Sequence, residues 1–532
     1  MKKIKLSLLY LMGIAFVFNS CTSELDVTPE DDDIFRADDF YKQPGAYKQA
    51  LAGVYGNLAL TGTGGPGTSF LQGVDAGTSQ YGRCLLYLQD LTTDEMVWSY
   101  ENDPGTRELQ RNIWSSENPI LLGMFSRTMV QVALANEYLR QSTPSKLSSR
   151  NISSDEAAEI EVYRNEVRVL RAMAYYNMID LFGKAPFITE NDPVNFAGPE
   201  YNRAQLFEFV EDELNAVLPG LKPATTNEYG RVDQGVANML LAKLYLNAEV
   251  YIGENMYTQC AEKCQEIISS GYTLNPNYLD NFKADNHTSP EMIFTLQSDG
   301  TYTQNYGPTT VMVNGQVGSL EVNGESFGVS AAAWSGAIRL RKQFSEKFSG
   351  SDFVNDDRNT IIIGERPIDI TSIGNKDQGY ILGKYSNIST TGVVGQNSTF
   401  VNTDFPLFRL ADVYLMYAEC ALRGAGGTSM DTALGYVNDL RERANSGSAA
   451  ANIVMGELTL DFLIDERARE LHWEAHRRQD LIRFNKYTGG SYNWAWKGNA
   501  VNGISLPNYM KVFPIPVASR AANPNLTQNT GY

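Results

Sequence analysis

Histidine and cysteine are scarce in this 532-residue chain, three and five residues respectively, and their scarcity removes whole classes of chemistry. Cys84, Cys260, Cys264 and Cys420 form no C-x-x-C pair and no zinc-ligand spacing. Cys84 and Cys420 sit in apolar surroundings and read as small core residues. Cys260 and Cys264 are one helical turn apart, a poor geometry for a disulfide, so no disulfide framework is expected. Positive charge is also short: 44 Lys and Arg face 62 Asp and Glu, for a net charge of −18, and no basic run follows residue 5. A nucleic-acid ligand, whose phosphates demand clustered Lys and Arg, is thereby disfavoured. The chain lacks a G-x-S-x-G elbow, a Walker loop and a dinucleotide fingerprint. The glycine-rich TGTGGPGTS at 61–69 has no P-loop lysine and reads as a flexible loop.

Two of the three histidines lie four apart in HWEAH, residues 472–476. A zinc protease needs H-E-x-x-H, with the glutamate beside the first histidine so that it reaches the metal-bound water. Glu474 is instead two residues past His472, roughly 200° around a helix from it. The remaining histidine, His287, belongs to a distant loop, so no metal is expected. The stretch reads as part of a charged scaffold helix over 458–484, with Trp473 packed inward. Arg467, Arg469, Glu470, Glu474, Arg477 and Asp480 would then form ion pairs at helical spacing.

With 43% hydrophobic residues the chain can bury a sizeable core. Its N-terminus, MKK followed by the apolar run LSLLYLMGIAFVF, has a signal-peptide layout over 1–20. That run is too short for a membrane span, which needs about 20 residues. It stops at Cys21, as in bacterial lipoprotein signals, where the cysteine becomes the acylated first residue carrying palmitate-type lipid. A buried cysteine beside an ordinary cleavage site is the alternative. Residues 21–35, polar and acidic, read as a tether, and the SELD within them resembles the surface-export signal of Bacteroidetes lipoproteins.

Beyond the tether, one domain is expected over 36–532. Helical periodicity marks 118–141, 155–183, 203–221, 232–251, 256–271, 408–424, 430–444 and 458–484. A small residue recurs about a turn from an aromatic, Ala172 with Tyr176, Ala242 with Tyr245 and Ala411 with Tyr414, which lets antiparallel helices approach closely. The fold class expected is mainly α, a tetratricopeptide-like scaffold of helical pairs. Loop-rich blocks occupy about 60–117 and 285–405, the second with short apolar runs, MIFTLQ, TVMV, TIIIG and YILGKY, that suggest a few strands. Loops this long in a compact domain usually carry function.

Several stretches together resemble the SusD/RagB family of Bacteroidetes outer-membrane nutrient-binding lipoproteins: RVLRAMAYYNMIDLFGKAPF (168–187), GRVDQGVANMLLAKLYL (230–246), FPLFRLADVYLMYAECAL (405–422), ALGYVNDLRERA (433–444), ERARELHWEAHRRQDLIRF (466–484) and FPIPVASRAANPNLTQNTGY (513–532). The resemblance implies a SusD-like helical scaffold with one loop-covered face that binds oligo- or polysaccharide, a starch-like glycan among them. It further implies a TonB-dependent SusC-like transporter as partner and a lipid anchor at the outer membrane, facing outwards. No catalysis is implied. A peptide-binding RagB-like role is the alternative, and a secreted hydrolase a more distant one, since no sequence pattern excludes a pair of glycosidase carboxylates.

Sugar binding needs flat aromatic faces and hydrogen-bonding side chains at the ring edge. The stretch 73–105 supplies both: Trp98 and Tyr100 flanked by Asp94, Glu95, Asn102 and Asp103. Trp98 either touches ligand or packs under its own loop. By resemblance, Arg83, Trp98 and Asn102 are candidate ligand residues, with Asp75 beside them. The second loop block adds Tyr306, with Tyr302 as its alternate, and Trp334. Trp494 and Trp496 read as capping the last helices rather than as a second platform. Trp114 reads as packing before a helix capped by Ser115 or Ser116. No cofactor is expected; structural calcium is left open at two acidic stretches, 31–33 and 351–359, neither in EF-hand order.

Overall fold

A computed structural model describes residues 37–532; the leader, Cys21, the tether and the acidic stretch at 31–33 lie outside the described residues. Its longer helices are α1 (Ala46–Ala59), α2 (Tyr81–Leu86), α3 (Pro119–Gln141), α4 (Ser154–Leu181), α5 (Arg203–Val217), α6 (Gln234–Leu246), α7 (Tyr257–Ile268), α8 (Pro308–Gly315), α9 (Leu410–Leu422), α10 (Met430–Ala444), α11 (Leu460–Leu471) and α12 (Arg477–Arg483). Neighbours in this order pack in pairs, α3 on α4, α4 on α5, α6 on α7 and α9 on α10, while α7 also packs on α9 across the second loop block. Fully buried Ala172, Ala242 and Ala411 permit the close approach, and Tyr414 stacks on Tyr436 of α10 with centroids 4.3 Å apart. No described helix is long and apolar enough to cross a membrane.

Local chemistry sets the helix ends. The Asn118 side chain accepts from the backbone N–H groups of Ile120 and Leu121, and Pro119 fixes the first turn of α3. The cap is therefore Asn118 and not Ser115 or Ser116. Asn202 and Gln205 form a reciprocal capping box on α5. Thr459 caps α11.

The strands are short and pair antiparallel in twos: β1 (Met96–Trp98) with β5 (Ile338–Leu340), β2 (Lys184–Pro186) with β3 (Glu200–Asn202), β4 (Met292–Leu296) with β8 (Phe405–Arg409), and β6 (Ile361–Ile362) with β7 (Ile381–Leu382). TVMV, expected as a strand, lies inside α8. Every residue of α8 is buried, so the run shows no helical alternation by which to tell it from a strand.

The expected helix over 458–484 is in fact two. It ends at Leu471 and resumes at Arg477, with Trp473 and Ala475 at φ 59° and 61°. Buried acceptors hold the break open: Glu95 takes the N–H of Trp473 at 3.1 Å and Asp90 that of Ala475 at 2.9 Å. The charged side chains are not paired on a solvated helix face. Arg409 binds Glu291, Glu470 and Glu474 within 2.7 Å, Arg477 binds Asp94 at 2.7 Å, and all these side chains are buried. Of the six named residues, only Arg469 with Glu466 and Asp480 with Arg483 pair at helical spacing. Among the described residues no cluster of His, Cys, Asp and Glu could hold a metal. Asp356, in the acidic stretch 351–359, is bound by Arg358 at 2.7 Å. The four described cysteines are buried free thiols, and burial pushes that of Cys84 up to about 12.

Candidate functional site

The two loop blocks meet where β1 pairs with β5, Trp98 opposite Ile338. Trp98 is thus a strand residue rather than a loop residue, and it is only 3% exposed. Gln110 accepts from its backbone N–H at 2.8 Å and donates to its carbonyl at 3.1 Å, while its indole N–H donates to Asp103 at 2.8 Å. Two cleft aromatics pack against it and a third adjoins them. Trp334 meets it edge to face at 6.1 Å and 85°, Tyr100 at 5.9 Å, and Tyr306 lies 6.4 Å from Trp334 with the rings tilted by 31°. Tyr100, Tyr306 and Trp334 are half-buried. They present the ring faces, and Trp98 supports them from below.

These rings border an open cleft of about 610 Å³ that also takes in Pro66 and Gly67 from the glycine-rich loop, Asp75, Gly77, Arg83 and Asp103. Arg83 lies in the first turn of α2, whose cap, Gln80, accepts from the Arg83 N–H. Its Nε donates to the Tyr87 hydroxyl at 3.0 Å and its guanidinium stands 5.8 Å from the Trp98 ring. The residue is 7% exposed. Among the described residues, no hydrogen-bond acceptor or carboxylate engages its two terminal nitrogens. They face the cleft past Gly77, where an added Cβ would lie 3.1 Å from Nη1 and 3.3 Å from Tyr306 Cβ. Open to the cleft, these nitrogens offer a ligand donors that no protein group uses.

Asp75 is the exposed carboxylate of the cleft. Partial burial opposes its charge, but hydrogen bonds from Thr78 and the positive charge of Arg83 outweigh that and hold its pKa below the usual value. The cleft's other carboxylate, Asp103, is occupied by Trp98.

Five of the six candidates thus meet in one cleft: Asp75, Arg83, Trp98, Tyr306 and Trp334. Asn102 is exposed but does not line it; Asp103, one residue on, does. Tyr302 is 89% exposed and lies outside the lining. Asp94 and Glu95 are interior scaffold, not ring-edge groups. Trp494 is fully buried, and Trp496 packs on Val97, Ile370 and Ile373 with its indole N–H on the Ile370 carbonyl at 2.8 Å, so it covers β1 and the 370–373 segment rather than capping the last helices. Trp114 is buried and donates to the Tyr532 hydroxyl at 2.9 Å.

Residues 245–532 match the SusD family. The chain is 31% identical to the starch-binding protein SusD of Bacteroides thetaiotaomicron over 96% of each chain. It belongs to the SusD family. A second member, SusD-like protein P25 of Formosa agariphila, is 26% identical over 72% of this chain and 75% of its own. Among solved structures, a surface glycan-binding protein A from Bacteroides thetaiotaomicron in complex with laminarihexaose superposes with a TM-score of 0.68 at 23% identity, covering 91% of this chain and 99% of that one. At that identity the likeness is one of fold, and it places the helical pairs and loop face described above in the SusD architecture.

Within this SusD-type fold the cleft includes positions that no sequence pattern flagged. Gly77 and Ala333 matter through their lack of bulk and through backbone placement. Pro66 and Gly67 come from a segment read only as flexible. Tyr100 was visible as half of an aromatic pair with Trp98, but which of the two faces the cleft depends on the strand register.

Proposed function

We propose that the cleft binds an oligosaccharide and that the protein captures glycan without cleaving it. The observation that carries this reading is the pairing of half-exposed faces, Trp334, Tyr306 and Tyr100, with the unengaged terminal nitrogens of buried Arg83. The rings offer stacking to the C–H face of a sugar, and the guanidinium offers donors to its edge hydroxyls. The family relation to a starch-binding protein and the fold relation to a laminarihexaose-bound one support the same ligand class. Asp75, with its pKa held below the usual value, is not poised as an acid, and Asp103 accepts from the Trp98 indole. A glycosidase needs one raised carboxyl group and one ionised partner.

The wider role follows the family. Cys21 carries the lipid, the tether at 21–35 holds the domain outside the outer membrane, and bound glycan passes to a SusC-like TonB-dependent transporter. Calorimetry against maltooligosaccharides, laminarihexaose, levan and mucin glycans tests the binding step. Binding to at least one is expected, weakened about tenfold by Trp334→Ala, or about 1.4 kcal/mol. If no glycan binds while a peptide library does, the ligand class is wrong and the RagB-like role replaces it.

A further inference from the structure

Lys376 does not line the cleft, yet three linked contacts join it to Tyr100 and to the turn carrying Trp334, which do. Its ammonium donates to the Tyr100 hydroxyl at 2.9 Å. That hydroxyl in turn donates to the carbonyl of Trp334 at 3.2 Å, so one phenol accepts from the lysine and donates to the turn carrying the indole. A donor on the phenol oxygen polarises its O–H and strengthens the second bond. The lysine stem supplies the third contact. A Cβ built on Gly336, which sits at φ +71°, would lie 2.9 Å from Lys376 Cβ, so the stem rests directly on the backbone of the Trp334 turn.

That turn needs support. Ala333 beside the indole has φ 35°, a region that a non-glycine residue keeps only where its surroundings hold it. The segment carrying Lys376 is itself rigidly placed. Fully buried Arg339 donates to the carbonyls of Ile373, Asn375 and Gln378, and Arg366 donates to the carbonyl of Lys376. Two buried guanidinium groups thus fix the backbone from which the lysine reaches Tyr100.

We propose that Lys376 is a positioning residue for ligand binding, setting the orientation of the Trp334 indole through the Tyr100 hydroxyl and the Gly336 backbone. This rests on the reading that the cleft is the glycan site. Lys376→Met cuts the relay and lowers affinity although it changes no group in contact with the sugar.

The test uses the full chain with Lys376→Met, Tyr100→Phe and the double variant. Hydrogen exchange over residues 331–337 is read without ligand, and affinity is read by calorimetry with maltoheptaose and laminarihexaose. Each single variant speeds exchange in that segment and weakens binding about fivefold, and the double variant is no weaker than either single, because both cut one path. Lys376→Arg keeps the donor and stays within about twofold of wild type. Exchange that is unchanged in both single variants overturns the relay. So does an additive loss, about 25-fold in the double variant, since it means Lys376 acts independently of Tyr100. If wild type binds neither glycan, the binding reading is what fails, and exchange in 331–337 alone decides the relay.

Discussion

Replacing Arg409 by Met probes the scaffold beneath the loop face. All five N–H donors of the guanidinium are used: Nε on Glu474 at 2.6 Å, Nη1 on Glu291 and Glu470 at 2.7 Å each, and Nη2 on the Glu470 carbonyl at 2.7 Å and on Glu474 at 2.9 Å. The arginine and its three carboxylate partners are 0% exposed. Methionine keeps much of the stem packing, so the loss is chiefly electrostatic. Glu291 and Glu470 retain Arg443, and Glu474 retains Lys384. Removing one partner from a buried pair costs about 3–5 kcal/mol, because a desolvated charge is left behind. A loss of about 4 kcal/mol at pH 7 is expected, measured by urea denaturation followed by circular dichroism. The sign of its pH dependence separates this cause from simple packing loss. The Arg409 charge helps hold the Glu470 carboxyl well below the usual range, so its loss moves that folded pKa up and protonation relieves the variant more than wild type as pH falls. The gap to wild type should therefore narrow from pH 7 towards pH 5. A loss under about 1 kcal/mol, or a gap that widens on acidification, would refute the reasoning.

His476 should make stability fall on acidification. Burial, reinforced by the Lys243 charge, lowers its pKa from 6.5 to about 3, with Asp412, Arg467 and Asp480 also facing it. A lowered folded pKa gives stability that is present above 6.5 and is lost as pH falls towards 3; His476→Gln should flatten that slope by about 1.4 kcal/mol per pH unit, and identical slopes would count against it. Trp98→Ala and Trp334→Ala should differ in kind. The first empties a buried site and should cost about 3–5 kcal/mol of stability, whereas the second should mainly weaken glycan binding. Equal loss of stability in both would contradict the division between supporting and presenting rings.

The pairing of helices was legible because it depends on local periodicity: α3, α4, α9 and α10 fall where the 3.6-residue pattern places them, and the buried alanines mark their contacts. The identity of HWEAH was harder, since helix propensity and charge both favour one continuous helix. Glu95 and Asp90, nearly four hundred residues earlier, capture the backbone N–H groups there instead, and no local pattern encodes so distant a partner.

At the cleft, the aromatic and polar residues concentrated in the loops, together with the family resemblance, named most of the side chains that meet there. Which ring faces outwards was decided by tertiary structure. The pairing of β1 with β5 turns Trp98 inward and leaves Tyr100, Trp334 and Tyr306 at the surface. The same holds for Arg83, an ordinary arginine in sequence, whose terminal nitrogens reach the cleft because Tyr87 and Trp98 hold its guanidinium and Gly77 leaves the way open. Sequence by itself determined the paired scaffold helices and the chemistry available to the loops, because both depend on residues close in the chain. Burial and register determined which of those groups meet, because they depend on residues hundreds of positions apart.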